Sequence, residues 1–176
     1  IFANRIFAPI VNYFNKLIFF RKILSRLLHI HTDAKLPVFT SITAKSMATQ
    51  LDYNSGTDNK VAIYTTCYHN YNQPEIIEDL CSVLKHNNVS VEIIKNDNCC
   101  GMPKLELGDL DKVELFMKSN SEELARYVEN GYRIIAPVPS CVLMFKQELP
   151  LLFPENIKLK KISESIYDPF EYLFSL

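Results

Sequence analysis

The sequence is poor in glycine: only Gly56, Gly101, Gly108 and Gly131 occur in 176 residues. No window holds the three glycines of a dinucleotide fingerprint or the spacing of a P-loop, so cradling of nucleotide phosphates is not expected. Long apolar runs are missing too. The longest in the amino-terminal region, residues 17–20, falls far short of the roughly 20 residues a membrane-spanning helix needs. Nothing near Ile1 reads as a secretory signal, and with Ile1 in place of an initiating methionine the chain reads as a fragment. The five cysteines, Cys67, Cys81, Cys99, Cys100 and Cys141, are odd in number and lack a secretory context, which argues against a disulfide framework. Reduced thiols or metal ligands remain. No Cys-x-x-Cys, paired-histidine or Ser/His/Asp pattern is present.

What is there is an ordinary globular composition, 48% apolar and 22% charged, enough for one core plus an extension. Charge is uneven. Residues 1–35 carry six basic residues against Asp33 alone, whereas residues 36–176 carry thirteen basic and nineteen acidic ones. This points to an arm that meets an anionic surface or acidic partner, and no basic, aromatic-studded sheet supports nucleic acid. Ile6, Ile10, Phe14, Leu17, Phe20, Leu24 and Leu28 recur at spacings of three and four. Residues 1–30 therefore read as an amphipathic helical arm, interrupted near Pro9. It either packs on a neighbouring domain or subunit or lies on a membrane surface. Residues 31–59 read as a connector.

From Lys60 onward the pattern is regular. Residues 61–66, 89–94 and 133–137 read as short buried strands. Helices open at Pro74, after Asp109 and after Ser140, the last ending before Pro150, and residues 156–176 close with a mostly helical tail. The fold class is α/β, a small parallel sheet with flanking helices in the order β-α-β-α-β-α, over residues 60–176. In such a sheet all carboxyl ends lie at one edge. Cys67 follows the first strand, Cys99 and Cys100 the second and Cys141 the third, so four thiols are expected to converge where open α/β sheets place ligands. Cys81 belongs to the apolar stripe of Ile77 and Leu84 and reads as core. Glu106, Asp109 and Asp111 read as a helix start, and Tyr64, Tyr68 and Tyr71 as packing residues. His69 and Asn70 sit where they can tune a bound centre, although solvent-exposed loop residues are the plainer reading.

Four thiolates from separate loops match an iron-sulfur cluster better than zinc, whose sites favour Cys-x-x-Cys knuckles; a vicinal Cys99-Cys100 redox pair ranks third. Three runs carry a resemblance: Thr66-Cys67-Tyr68-His69-Asn70-Tyr71-Asn72, Cys99-Cys100-Gly101-Met102-Pro103, and Val138-Pro139-Ser140-Cys141 with Leu143-Met144. Together they resemble the cysteine-rich CCG domain of heterodisulfide reductases and of the iron-sulfur subunits of glycolate oxidase and anaerobic glycerol-3-phosphate dehydrogenase. The similarity covers about residues 60–174. It implies an iron-sulfur cluster, of the 4Fe-4S type, on Cys67, Cys99, Cys100 and Cys141, with His69, Asn70 and Gly101 around it. It also implies an electron-transfer role beside a flavin dehydrogenase or other redox subunit, delivering to a quinone or other carrier, in the cytoplasm or peripheral on its membrane. The family's fuller pattern has a fifth cysteine; here Val138 or Met144 stands in its place. The alternatives are a cluster that itself reduces disulfides or heterodisulfides, and a structural zinc or cluster-free interaction module.

Overall fold

A computed structural model describes residues 5–176. The arm forms two helices, α1 (Phe7–Phe14) and α2 (Ile18–Leu28). Pro9 does not interrupt the first, contrary to the expectation from its position in the arm. It lies in the opening turn, where its missing N–H is an orphan in any case, and the break falls at residues 15–17 instead. Asn12 pairs with the Phe39 backbone, giving and taking hydrogen bonds of 2.8 and 2.9 Å, and the Arg21 guanidinium donates to the carbonyls of Thr32 and Ala34. Ile18, Phe19 and Leu27 stay largely exposed.

A 3-10 turn over Ala44–Met47, capped by Thr43, leads into the single turn α3 (Ala48–Leu51). Ala44 and Ala48 are buried in the core, so the stretch expected to be a connector packs on the sheet. The sheet begins with β1 (Lys60–Ile63), continues through α4 (Cys67–Tyr71) and α5 (Pro74–His86) to β2 (Ser90–Ile93), and through α6 (Met102–Glu106) and α7 (Leu110–Glu129) to β3 (Arg133–Ile135). Proline at the first position starts α5 without loss of a hydrogen bond, and its Ile77, Leu80, Cys81 and Leu84 form the buried stripe. Asp109 caps α7, and Gly131, at φ 82°, lets the chain leave it towards β3.

After β3 the helix α8 (Pro139–Leu143) passes through a π turn over Met144–Glu148 into α9 (Leu149–Leu152). Two sequence expectations are corrected here. Val138 precedes the helix with no side-chain cap, so Ser140 is inside the first turn and not its cap. The helix also does not stop before Pro150: the widened π turn just ahead of it accommodates the proline ring and its missing N–H. Then α10 (Ile157–Ser165) delivers a fourth strand that the sequence did not announce, β4 (Ile166–Tyr167), followed by α11 (Pro169–Phe174) with an Asp168/Glu171 capping box.

The strand order is β2-β1-β3-β4, all parallel, with Val61 beside Val91 and Arg133. Central β1 is buried on both faces, which is why it reads as an uninterrupted apolar run. Val61 and Ile63 meet α5, the 44–51 segment and Tyr172 of α11; Ala62 and Tyr64 meet α7, the helix after β3 and α10. The result is a three-layer α/β/α sandwich. The chain steps outward from β1 to β2 over one face and back past β1 to β3 over the other, so the connections leaving β1 and β3 diverge, and a crevice opens at their carboxyl ends. The outer edge of β2 is covered by Tyr53, which exchanges two 2.7 Å backbone bonds with Val91.

Candidate metal centre

All three strands end earlier than the sequence pattern suggested, and the released residues build the site. Beyond β1, Tyr64 is fully buried and donates its hydroxyl to the Asn98 carbonyl. Two residues on, Thr66 adopts φ 60° and ψ 158°, a conformation normally left to glycine and costing about 1–3 kcal/mol. That turn swings the chain out of the sheet. The Thr66 hydroxyl then accepts from the His69 N–H, and Cys67 becomes the first residue of α4, exposed at the sheet edge.

The loop after β2 is fastened at the two residues before its cysteines and at Cys99 itself. Asp97 is buried and ion-paired with Lys45, whose ammonium also donates to the Asp97 carbonyl at 2.8 Å. Asn120, fully buried on α7, accepts from the Asn98 N–H at 2.8 Å and donates to the Cys99 carbonyl at 2.9 Å. Gly101 follows at φ 96°. A side chain there would find ordinary contact with the Met144 methyl group at 3.4 Å and the α7 backbone, so it is the left-handed turn that calls for glycine. Beyond β3, Cys141 sits buried in the first turn of α8.

The four expected thiols come together. The Cys141 sulfur lies 3.2 Å from that of Cys100, Cys100 is hydrogen-bonded to Cys99, and Cys99 to Cys67. Exposure falls along this row, from exposed Cys67 through half-buried Cys99 to buried Cys100 and Cys141. Cys81 lies in the core on the other face of the sheet, and burial pushes its thiol up to about 11.

Hydrogen bonds from the Cys100 and Cys67 thiols, with the Gly101 N–H, pull Cys99 far below the ordinary thiol range. The same contacts hold two others protonated: Cys100 is pushed up by its bonds to Cys141 and Cys99, and Cys67 by its bond to Cys99 and by burial. The Met102 N–H points at Cys100. The Cys99 thiolate thus lies among protonated Cys67 and Cys100, and ionising those two as well requires a cation among the sulfurs. The donor set, four soft sulfurs without imidazole or carboxylate, fits iron-sulfur or zinc chemistry. Among the described residues, no three His, Cys, Asp or Glu side chains surround a single ion's position. The 3.2 Å spacing is shorter than the roughly 3.8 Å between ligands of a tetrahedral zinc with 2.3 Å bonds, so the thiols must spread as a metal displaces their protons.

The surrounding residues differ from expectation. His69 and Asn70 are buried, not solvent-exposed. The Asn70 carboxamide oxygen is taken by the Lys45 N–H at 3.0 Å, while His69 Nδ1 has no partner and burial pulls the imidazole below its ordinary range. Gly101 does face the thiols, through its N–H. Lys45, Tyr64, Asp97 and Asn120 are not legible as site residues in the sequence, because their bonds join segments 22–52 residues apart. Of the two residues at the missing cysteine position, Met144 is fully buried with its methyl against Gly101, and Val138 is half-buried beside the same core.

The CCG family, described as a cysteine-rich domain, matches residues 61–146, the span holding all four thiols. This span is a CCG cysteine-rich domain. The chain is 30% identical over 150 residues to one subunit of the anaerobic glycerol-3-phosphate dehydrogenase of Escherichia coli K12, covering 82% of this chain and 37% of that one. It is 27% identical over 110 residues to one subunit of the fumarate reductase (CoM/CoB) of Methanothermobacter marburgensis, covering 62% and 22%. A 63-residue stretch, 36% of this chain and 13% of the other, is 35% identical to an uncharacterized iron-sulfur protein of Methanocaldococcus jannaschii. The chain thus spans less than half the length of the curated relatives it matches. No solved structure matches it.

Proposed function

We propose that the CCG domain of this chain holds an iron-sulfur cluster, of the 4Fe-4S type, on Cys67, Cys99, Cys100 and Cys141, and serves as the electron-transfer module of an oxidoreductase. The observation that carries this reading is the contact row of four thiols drawn from three strand ends. The names of the relatives, two dehydrogenase or reductase subunits and an iron-sulfur protein, support it. A bound cluster would supply a one-electron redox centre. The chain's own part is to present four sulfurs, to shield Cys100 and Cys141 from water, and to aim the Gly101 and Met102 N–H groups at sulfur, which favours the more negative, reduced state. Exposed Cys67 is the side on which a partner approaches.

The partner is a flavin dehydrogenase or other redox subunit, and the acceptor a quinone or other carrier. Among the described residues no helix is long and apolar enough to cross a membrane. Ile18, Phe19 and Leu27 of α2, interspersed with Lys22 and Arg26, suit instead a subunit interface or a cytoplasmic membrane surface. Anaerobically purified protein tests the reading. Iron and inorganic sulfide with broad visible absorption are expected; zinc alone, or no metal, overturns it. Oxidation of the reduced centre by a disulfide would make the domain catalytic and not a relay.

A further inference from the structure

We infer that Lys45, which precedes the family domain, is a positioning residue for the thiol site, fixing the loop of Cys67 against the loop of Cys99. The inference rests on the iron-sulfur reading above. Lys45 lies in the 3-10 turn Ala44–Met47, which is anchored from below by buried Ala44 and Ala48 and closed by Thr43. From this fixed platform it reaches both loops. Its N–H donates at 3.0 Å to Asn70, three residues after Cys67; its ammonium pairs with the Asp97 carboxylate and donates at 2.8 Å to the Asp97 carbonyl, two residues before Cys99. A second tie, the Tyr64 hydroxyl on the Asn98 carbonyl, joins the chain before Cys67 to the residue before Cys99, whereas Lys45 grips the chain after Cys67: Asn70 lies on α4 and Asp97 beyond β2, with α5 and β2 between them in sequence.

The chemistry of the pair favours placement over mere stability. Asp97 has a side chain only 2% exposed, paired with a lysine whose side chain is 22% exposed. A buried pair of this kind is commonly no more stabilising than apolar residues of equal size, because both ions lose their water. What an apolar pair lacks is direction: the ammonium fixes the carbonyl and the carboxylate of one residue at once. Cys67 and Cys99 sit at the exposed end of the thiol row, where packing holds them least.

Iron retention tests this. In Lys45→Met, the concentration of ferrous chelator that strips half the iron should fall about tenfold, the scale of effect for residues that orient ligands, with a changed electron paramagnetic resonance line shape. Lys45→Arg should restore both. Lys161→Met, removing an exposed ion pair with Glu129, should change neither. The double variant Lys45→Met/Asp97→Asn removes the stranded buried charge and should recover Tm without recovering chelator resistance. Chelator resistance that simply follows Tm, or that is unchanged in Lys45→Met, overturns the inference. If the natural chain takes up no iron and sulfide, the iron-sulfur reading fails by itself. The positioning role is then judged on metal-free protein, where cross-linking of Cys67 to Cys99 by dibromobimane should slow several-fold in Lys45→Met, and an unchanged rate overturns it.

Discussion

The Cys141 sulfur stands 3.2 Å from the Cys100 sulfur, across 41 residues of chain, with both side chains buried. The contact joins the loop after an edge strand to the helix after a central one, so neither thiol keeps its surroundings if the other is altered. Cys100→Ser and Cys141→Ser, and likewise Cys67→Ser and Cys99→Ser, are expected to lose most of the bound iron and sulfide. Cys81→Ser should keep both and cost about 1–3 kcal/mol of stability, because it places a hydroxyl in an apolar stripe. Metal analysis alongside denaturant unfolding separates the two classes; iron loss in Cys81→Ser equal to the others would make it a ligand.

In metal-free protein the thiols should alkylate in an order that exposure alone does not give. Cys99 is half-buried but ionised by its neighbours, so it should label first, at a rate nearly flat from about pH 6 to about pH 9. Exposed Cys67, held protonated by its bond to Cys99, should lag behind it. Mass spectrometry of iodoacetamide-treated peptides reads the order directly.

Asn120→Ala removes two hydrogen bonds at once and strands the Asn98 N–H and the Cys99 carbonyl. A loss of about 2–6 kcal/mol is expected, at about 1–3 kcal/mol for each buried group left without a partner. Iron content should fall with it, since the stranded groups flank a ligand. Asn120→Asp keeps the acceptor only and should fall between the two.

Cys81 gives a linkage test at alkaline pH. Its thiol ionises near 9 when unfolded but at about 11 in the fold, so the folded state retains the proton longer. Stability from this group is therefore full below about pH 8 and declines as pH rises through the unfolded value towards the folded one, by about 2–3 kcal/mol in total. Unfolding curves of Cys81→Ala should show a correspondingly shallower decline than the natural chain.

The alternation of strands and helices was legible because β1 and β2 are short apolar runs between clear helix signals, and the cysteines fall just beyond them. The convergence of Cys67, Cys99, Cys100 and Cys141 followed from that frame. What stayed hidden was either too short or too distant. The two residues of β4 have no period of their own and become strand only by docking on Ile134 and Ile135. Pro150 looks like a helix end locally, and only the π turn before it lets the helix proceed. His69 and Asn70 look like polar loop residues until the turn at Thr66 folds them inward, and the partners of Asp97 and Asn98 lie on other elements altogether.

The placement of β3 beside β1, between strands made much earlier and one made last, carries a consequence for biosynthesis. Cys67, Cys99 and Cys100 leave the ribosome well before Cys141, and the sheet cannot close over the crevice until β3 inserts at its centre. A nascent chain therefore holds three unshielded thiols with no fourth to complete the set, and metal delivered at that stage meets an unfinished receptacle. Loading belongs after the third strand has docked, and a delivery factor that recognises the finished sheet edge, not the cysteine peptides themselves, would act at the right moment.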